Sequence, residues 1–83
     1  MALYLISYDL LKPEKNYDPL IDALIQQGAK RVLLTQWALN TYSSPKQIRD
    51  WARRYMDNND RILISEINSN WSGYGTLVDL NTA

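Results

Sequence analysis

The chain has 83 residues and a mass of 9.7 kDa, enough for one small domain over residues 1–83. Nine basic and nine acidic side chains give zero net charge, which excludes binding driven by bulk positive charge. Because there is neither cysteine nor histidine, disulfides, structural zinc, thiol nucleophiles and imidazole bases are also excluded.

The first half of the chain predicts a strand, a helix and further extended chain. Residues 2–10 are dense in apolar and aromatic side chains and precede a polar stretch, which is typical of a strand. A helix is predicted from Asp18 as N-cap, with Pro19 at the first helical position, to Gly28 as the stop. Residues 29–42 form one long strand or two short ones, and we favour two.

The second half predicts another helix, a strand and a turn-rich tail. Ser44 and Gln47 match a capping box, and apolar side chains follow at helical spacing. A turn at residues 57–60 then precedes a strand at residues 61–67. Residues 76–80 have the pattern of a short last strand.

The order β-α-β-β-α-β predicts an α+β sandwich of the ferredoxin-like type, with a core at residues 2–67 and a tail at residues 68–83. Its right-handed crossovers place both helices on one face of an antiparallel sheet. The strands nevertheless carry apolar side chains on both faces, as Leu3 and Tyr4 illustrate. The helices cover the apolar side chains of one face and leave those of the other, the open sheet face, exposed. Burying the exposed set would contribute on the order of 10 kcal/mol, so we expect a homodimer that packs through the open sheet face.

Neither a membrane span nor a signal peptide is expected. No apolar run approaches the length of a span, and the first residues lack a basic region. We therefore expect a cytoplasmic protein without a membrane partner.

Asp9 is the first candidate for chemistry. It ends the first strand on the same face as Ser7, where side chains often line a cleft or an interface. In a two-fold interface through the open face, Asp9 lies near its own copy, and a divalent cation relieves the repulsion between the two carboxylates. Such a site could hold Mg²⁺ or Mn²⁺ for phosphodiester hydrolysis. The alternatives are a solvated Asp at a strand end or an Asp that caps the turn at residues 12–16. Glu66, Asp57 and Asp60 rank below Asp9 as candidate acids, since Asp57 and Asp60 resemble turn residues.

Several basic side chains could track a nucleic-acid backbone, of RNA or of duplex DNA. They are Lys46, Arg49, Arg53 and Arg54 on the second helix, with Lys30 and Arg31 nearby. The alternative is the solvated face of an amphipathic helix. Among the tryptophans, Trp37 and Trp51 are expected in the core or an interface, whereas Trp71 lies in a Gly/Ser/Asn loop and could stack on a base.

Two short motifs carry a resemblance to a known family. The first strand ends in Tyr8-Asp9, and Arg31-Val32 is followed three residues later by Thr35-Gln36-Trp37. Over about residues 2–67 the chain resembles the small CRISPR-associated adaptation subunit, the second protein of that series, and its relative virulence-associated protein D. Relative to the family pattern, Thr35 replaces Ser, Trp37 replaces Phe and Ala38 replaces Glu. These departures indicate a divergent branch, phage-borne or free-standing.

The resemblance implies a ferredoxin-like homodimer with the two Asp9 carboxylates at a divalent-metal site, and Arg31 as a phosphate contact. Two hypotheses follow. The first is a Mg²⁺- or Mn²⁺-dependent endonuclease, in the first instance an endoribonuclease, with Asp9 as the catalytic and metal-binding residue. The second is a non-catalytic homodimeric scaffold that binds nucleic acid or a protein through its edge strands and the Arg49, Arg53 and Arg54 face.

Overall fold

A computed structural model describes residues 1–82. In chain order its elements are β1 (Ala2–Asp9), α1 (Asp18–Gln26), β2 (Lys30–Leu33), β3 (Gln36–Thr41), α2 (Pro45–Arg53), β4 (Arg61–Ile67) and a short 3-10 helix (Leu80–Thr82). Within the described residues, neither α1 nor α2 has the length and apolar character that a membrane crossing requires.

The four strands form one antiparallel sheet in the order β2-β3-β1-β4. Ala2 lies opposite Thr41, and Asp9 lies opposite Arg61, which fixes the register of β1 against its two neighbours. Each β-α-β unit therefore crosses over one intervening strand. This is the ferredoxin-like topology, so the predicted α+β fold is confirmed.

Both helices pack on one face of the sheet, as predicted. Their buried side chains form a core with the aromatic and aliphatic side chains that alternate along β1. The fully or almost fully buried members include Tyr4, Ile6 and Tyr8 from β1, Leu20 and Leu24 from α1, and Ile48 and Ala52 from α2. This layer positions the ends of α1 and α2 relative to the sheet.

The start of α2 and the end of α1 lie where the sequence predicted them. Ser44 Oγ accepts a hydrogen bond from Gln47 N at 3.1 Å, and Gln47 Oε1 accepts one from Ser44 N at 2.8 Å, so the capping box is confirmed. Gly28, just beyond α1, has a φ of 82°, which a residue with a side chain rarely adopts.

The start of α1 lies one residue earlier than predicted. Asp18 is its first residue, and Tyr17 is the N-cap without a side-chain cap. The reason is local, since Asn16 Oδ1 accepts a hydrogen bond from Asp18 N at 2.9 Å and the Tyr17 carbonyl accepts the first helical bonds. The region from 29 to 42 divides into two strands, as favoured above, joined by a turn at Leu34 and Thr35.

The tail packs on the second face of the sheet. Trp71, Val78 and Leu80 surround a small cluster with Val32 and Ala38, and the cluster also takes in Leu3, Leu5 and Ile67. The open-face apolar side chains are therefore covered in part by the same chain, not left entirely for a second copy. The tail differs from the short strand predicted at residues 76–80: Leu77 N donates to Val32 O at 2.8 Å, and the chain then enters the 3-10 helix.

Candidate functional site

Asp9 lies at the end of β1 with 62% of its side chain exposed. Its one ion-pair partner within residues 1–82 is Arg61, whose Nη1 lies 3.7 Å from Asp9 Oδ2 across the β1–β4 pair. An exposed pair of this length contributes little to stability. Asp9 ends β1, as predicted, and its side chain is accessible and only weakly held within one chain.

A row of side chains crosses the second sheet face next to Asp9. The register aligns Leu33 of β2, Gln36 of β3, Ser7 of β1 and Leu63 of β4, and we call these four residues the open row. Gln36 Nε2 donates to Ser7 Oγ at 2.9 Å in the middle of the row. Leu63 is 65% exposed and Leu33 is 43% exposed at its two ends. The tail therefore leaves apolar surface at this end of the face.

The described part of one chain brings no cluster of acidic side chains together around Asp9. Among residues 1–82 no group of three or more acidic side chains is arranged to hold a metal ion. Asp9 offers a single carboxylate, and the Arg61 guanidinium already lies beside it. Mg²⁺ is usually held in proteins by one or two carboxylates together with several waters, so the carboxylate of a second copy would be the further protein ligand at Asp9.

Asp60 organises the loops next to this end of the sheet. Its carboxylate accepts hydrogen bonds from Leu11 N at 2.7 Å, Tyr17 Oη at 2.6 Å and Asp57 N at 2.8 Å. Burial raises the pKa of Asp60, but the hydrogen bonds from Tyr17, Leu11 and Asp57 outweigh it, so that the pKa is lowered overall. Burial and the bond to Asp60 raise the pKa of Tyr17 to about 12. Asp60 therefore stabilises the turns around it, which agrees with its being a weaker candidate than Asp9 for a catalytic or metal-binding acid.

The basic side chains of α2 fall into two groups. Lys46 Nζ lies 2.8 Å from Asp50 Oδ2 and Arg49 Nη2 lies 3.0 Å from Asp50 Oδ1, and these hydrogen bonds lower the pKa of Asp50. Arg53, the last residue of α2, and Arg54, its C-cap, are exposed and form no ion pair within residues 1–82. Two arginines at the C-terminal end of α2 are thus available to an anionic partner.

Lys30 and Arg31 lie far from this group. They belong to β2, at one edge of the sheet, whereas α2 packs against β4 at the other edge, about 14 Å away at the usual strand spacing. The Arg31 guanidinium stacks 4.9 Å from the Trp37 ring centroid, and Arg31 Nε donates to Leu34 O. The structure therefore does not join Lys30 and Arg31 with the α2 arginines into one stripe.

The tryptophans hold positions that partly match expectation. Trp37 is buried, and its Nε1 donates to Tyr8 Oη at 2.9 Å. Trp51 is half-buried and packs edge-to-face on Tyr55. Trp71, predicted to be an exposed platform, instead lies half-buried against the cluster under the tail, because residues 71–80 fold back onto the sheet.

The chain matches no protein-family model and no solved structure. The fold and the site geometry define its class: a ferredoxin-like domain that presents at the end of α2 two exposed arginines without an ion pair among residues 1–82. At the end of β1 it presents one exposed carboxylate beside an open row. The sequence pointed to Asp9, Arg53 and Arg54 as candidate site residues. The role of Asp60 could not be predicted in this way, because it depends on hydrogen bonds from Leu11 and Tyr17, which lie 49 and 43 positions earlier in the chain.

Proposed function

We propose that the protein is a non-catalytic homodimer that binds nucleic acid through the C-terminal ends of its two α2 helices. The observation that supports binding is that Arg53 and Arg54 are exposed and form no ion pair within residues 1–82. The other two basic side chains of α2, Lys46 and Arg49, are instead paired with Asp50. Arginine is well suited to phosphate because its planar fork donates two parallel hydrogen bonds.

The proposed dimer uses the open row. A fully buried leucine is worth about 2 kcal/mol, so covering the exposed fractions of Leu33 and Leu63 on both copies contributes about 4 kcal/mol. Association costs about 4–15 kcal/mol, so Leu33 and Leu63 alone do not hold two copies together. The proposed dimer also needs the half-buried side chains Leu3, Leu5 and Ile67 of the same face, and it is weak and depends on protein concentration. It is weaker than the sequence led us to expect because the tail covers part of the same face.

Light scattering after size exclusion tests the dimer, with Leu63→Lys as the variant and Leu34→Lys as its matched control. Both leucines are exposed, but Leu34 lies in the β2–β3 turn outside the open row. We expect the wild type and Leu34→Lys to dimerise with rising concentration and Leu63→Lys to stay monomeric. A wild type that is monomeric at about 1 mM, where even weak specific pairs associate, contradicts this interface.

Binding is tested by fluorescence anisotropy of labelled RNA and duplex DNA at a series of salt concentrations. Each of the variants Arg53→Ala and Arg54→Ala is expected to weaken binding. Each is also expected to reduce by about one the magnitude of the salt slope, which is the slope of the logarithm of the binding constant against the logarithm of the salt concentration. Lys30→Ala removes the same charge at the far edge of the sheet and is expected to leave the slope unchanged. Equal losses from all three variants would indicate a general charge effect and contradict the proposed surface.

A metal-dependent endonuclease is the second candidate, and the exposure of Asp9 beside the open row favours it. In a two-fold dimer through this row, the two Asp9 side chains come to the same interface, where together they could hold Mg²⁺ or Mn²⁺. The metal would supply charge neutralisation at the phosphate and a more acidic bound water. This candidate needs the second copy, because one chain offers a single carboxylate at this point.

Cleavage of labelled RNA and DNA by highly purified protein with and without Mn²⁺ separates the two candidates. The endonuclease predicts metal-dependent cleavage that Asp9→Asn abolishes and that Asp22→Asn, an exposed acid on α1, leaves intact. Cleavage that survives in Asp9→Asn excludes Asp9 as its origin. Binding without cleavage in the wild type favours the scaffold.

A further inference from the structure

A small cleft lies at the opposite end of the domain from Asp9. It has a volume of about 160 Å³ and forms where the end of α1, the end of β3 and the beginning of α2 meet. Thr41, one of its lining residues, pairs with Ala2 at the start of β1, whereas Asp9 ends that strand. The seven intervening residue steps span about 23 Å, so this cleft is separate from the candidate site above.

The inner surface of the cleft is apolar and includes an aromatic ring. Leu39 and Ile48, both buried, and the half-buried Trp51 line it. Trp51 is held in place by its edge-to-face contact with Tyr55, whose ring centroid lies 5.8 Å away. A fixed indole at the wall of a small cleft is suited to contact with a planar ring, since aromatic faces stack on any base.

The rim of the cleft is polar, and no ionisable side chain of residues 1–82 lines it. Thr41 Oγ1 and Gln47 Oε1 already accept hydrogen bonds from backbone N–H groups, which leaves the Thr41 hydroxyl and the Gln47 amide nitrogen as donors. The side chains of Gln27 and Ser43 have no hydrogen-bond partner within residues 1–82. The rim thus offers both donors and acceptors to an uncharged ligand.

Gln27 gives the cleft its most specific group. A glutamine amide presents a donor and an acceptor side by side, which is the pattern that reads the edge of a nucleobase. The volume limits the ligand, because a cavity of about 150 Å³ accommodates a single six-membered ring and drug-sized ligands need about 300 Å³ or more. A pyrimidine ring fits both limits, with its sugar outside the cleft.

We propose that this cleft binds one uncharged planar heterocycle of the pyrimidine nucleobase class, which stacks against Trp51 and forms hydrogen bonds with Gln27. The ligand is either a free nucleoside or an unpaired base of a single strand. This inference does not rest on the proposed function, because a nucleoside needs neither the open row nor the arginines at the end of α2.

Titration with cytidine, followed by ¹H–¹⁵N NMR, is the direct test. The other two tryptophans serve as internal references, because Trp37 is hydrogen-bonded in the core and Trp71 packs against the cluster on the second face of the sheet. We expect the Trp51 indole and Gln27 amide signals to shift saturably, with a Kd of about 1 mM or tighter for so small a ligand. No saturable shift, or a shift of the Trp71 signal in place of Trp51, overturns the proposal.

Gln27→Ala and Gln26→Ala form a matched pair of variants. Both glutamines are exposed and adjacent at the end of α1, but only Gln27 lines the cleft. Gln27→Ala is expected to weaken cytidine binding about fivefold, as the loss of a neutral hydrogen-bond pair does, and Gln26→Ala to leave it unchanged. Equal effects of the two variants overturn the assignment of Gln27.

Two further experiments complete the test. The first compares cytidine with a single-stranded cytidine hexamer, and the second measures cytidine binding by the Arg53→Ala variant. A cytidine hexamer that shifts the Trp51 signal at lower concentration than cytidine supports the cleft and identifies an unpaired strand as the ligand. A shift by cytidine alone supports the cleft and identifies a free nucleoside. Arg53→Ala is expected to leave cytidine binding unchanged, and a loss there overturns the independence of the two sites.

Discussion

Asp60→Ala is expected to destabilise the protein strongly, because this carboxylate holds two loops together. The carboxylate accepts hydrogen bonds from Leu11 N and Tyr17 Oη in the β1–α1 connection and from Asp57 N in the turn before β4. It therefore ties together two loops that are more than forty positions apart in the chain. Substitution by alanine removes all three bonds at once, whereas asparagine keeps the size of the side chain and removes its charge.

The expected magnitude follows from the kind of bond. A hydrogen bond to a charged acceptor contributes about 1.5–3 kcal/mol when buried and less when solvent competes, so three partly exposed bonds give about 3 kcal/mol. A domain of this size has a total stability of about 4–12 kcal/mol. The loss corresponds to a fall in Tm of about 12–24 °C, and Asp60→Asn is expected to lose about half as much.

Urea unfolding followed by circular dichroism measures this loss, with Asp22→Asn as a control expected to stay within about 0.5 kcal/mol of the wild type. The pH dependence gives a second readout. Because the folded state lowers the pKa of Asp60, its contribution is present above a pH of about 4 and is lost as the pH falls through the folded-state value. An Asp60→Ala protein within about 0.5 kcal/mol of the wild type at pH 7 would show that these three hydrogen bonds do not stabilise the fold.

Three further outcomes follow from the structure. Leu80→Ala, which truncates a side chain that is 8% exposed under the tail, is expected to cost about 2–4 kcal/mol in chemical unfolding and to increase the binding of an apolar dye. Ser44→Ala removes one half of the α2 capping box, so calorimetry is expected to show a loss of about 1 kcal/mol. Tyr17 is expected to ionise at a pH of about 12 in an ultraviolet titration, and Asp60→Asn is expected to lower that value because it removes the charged acceptor. Ionisation of Tyr17 at about 10, its ordinary value, contradicts the bond.

The elements of the fold could be predicted because their signals are local. Ser44 and Gln47 are three residues apart, and Gly28 ends α1 through its own backbone conformation. The order of the elements then left few topologies, since right-handed crossovers restrict how two β-α-β units combine. These signals require no knowledge of which distant residues meet.

The tail and the arrangement of charges could not be predicted in the same way. The spacing of Val78 and Leu80 predicted a short strand, and Trp71 lies in a loop, so neither pattern indicated that these side chains pack on the second face of the sheet; tertiary packing decides it. The separation of Arg31 from the α2 arginines follows from the sheet order, which places β2 and β4 at opposite edges. The small cleft at Gln27 likewise combines three elements that are distant in the chain.

Nucleic-acid binding by the exposed arginines at the end of α2 is tested by the salt dependence of that binding. Each phosphate contact contributes about −0.9 to the slope of log K against log salt concentration for duplex DNA. Arg53 and Arg54 therefore predict a slope of about −1.8 for one chain and about −3.6 for a dimer that engages both pairs. A flat slope, or no binding to RNA or duplex DNA at low salt, contradicts the account.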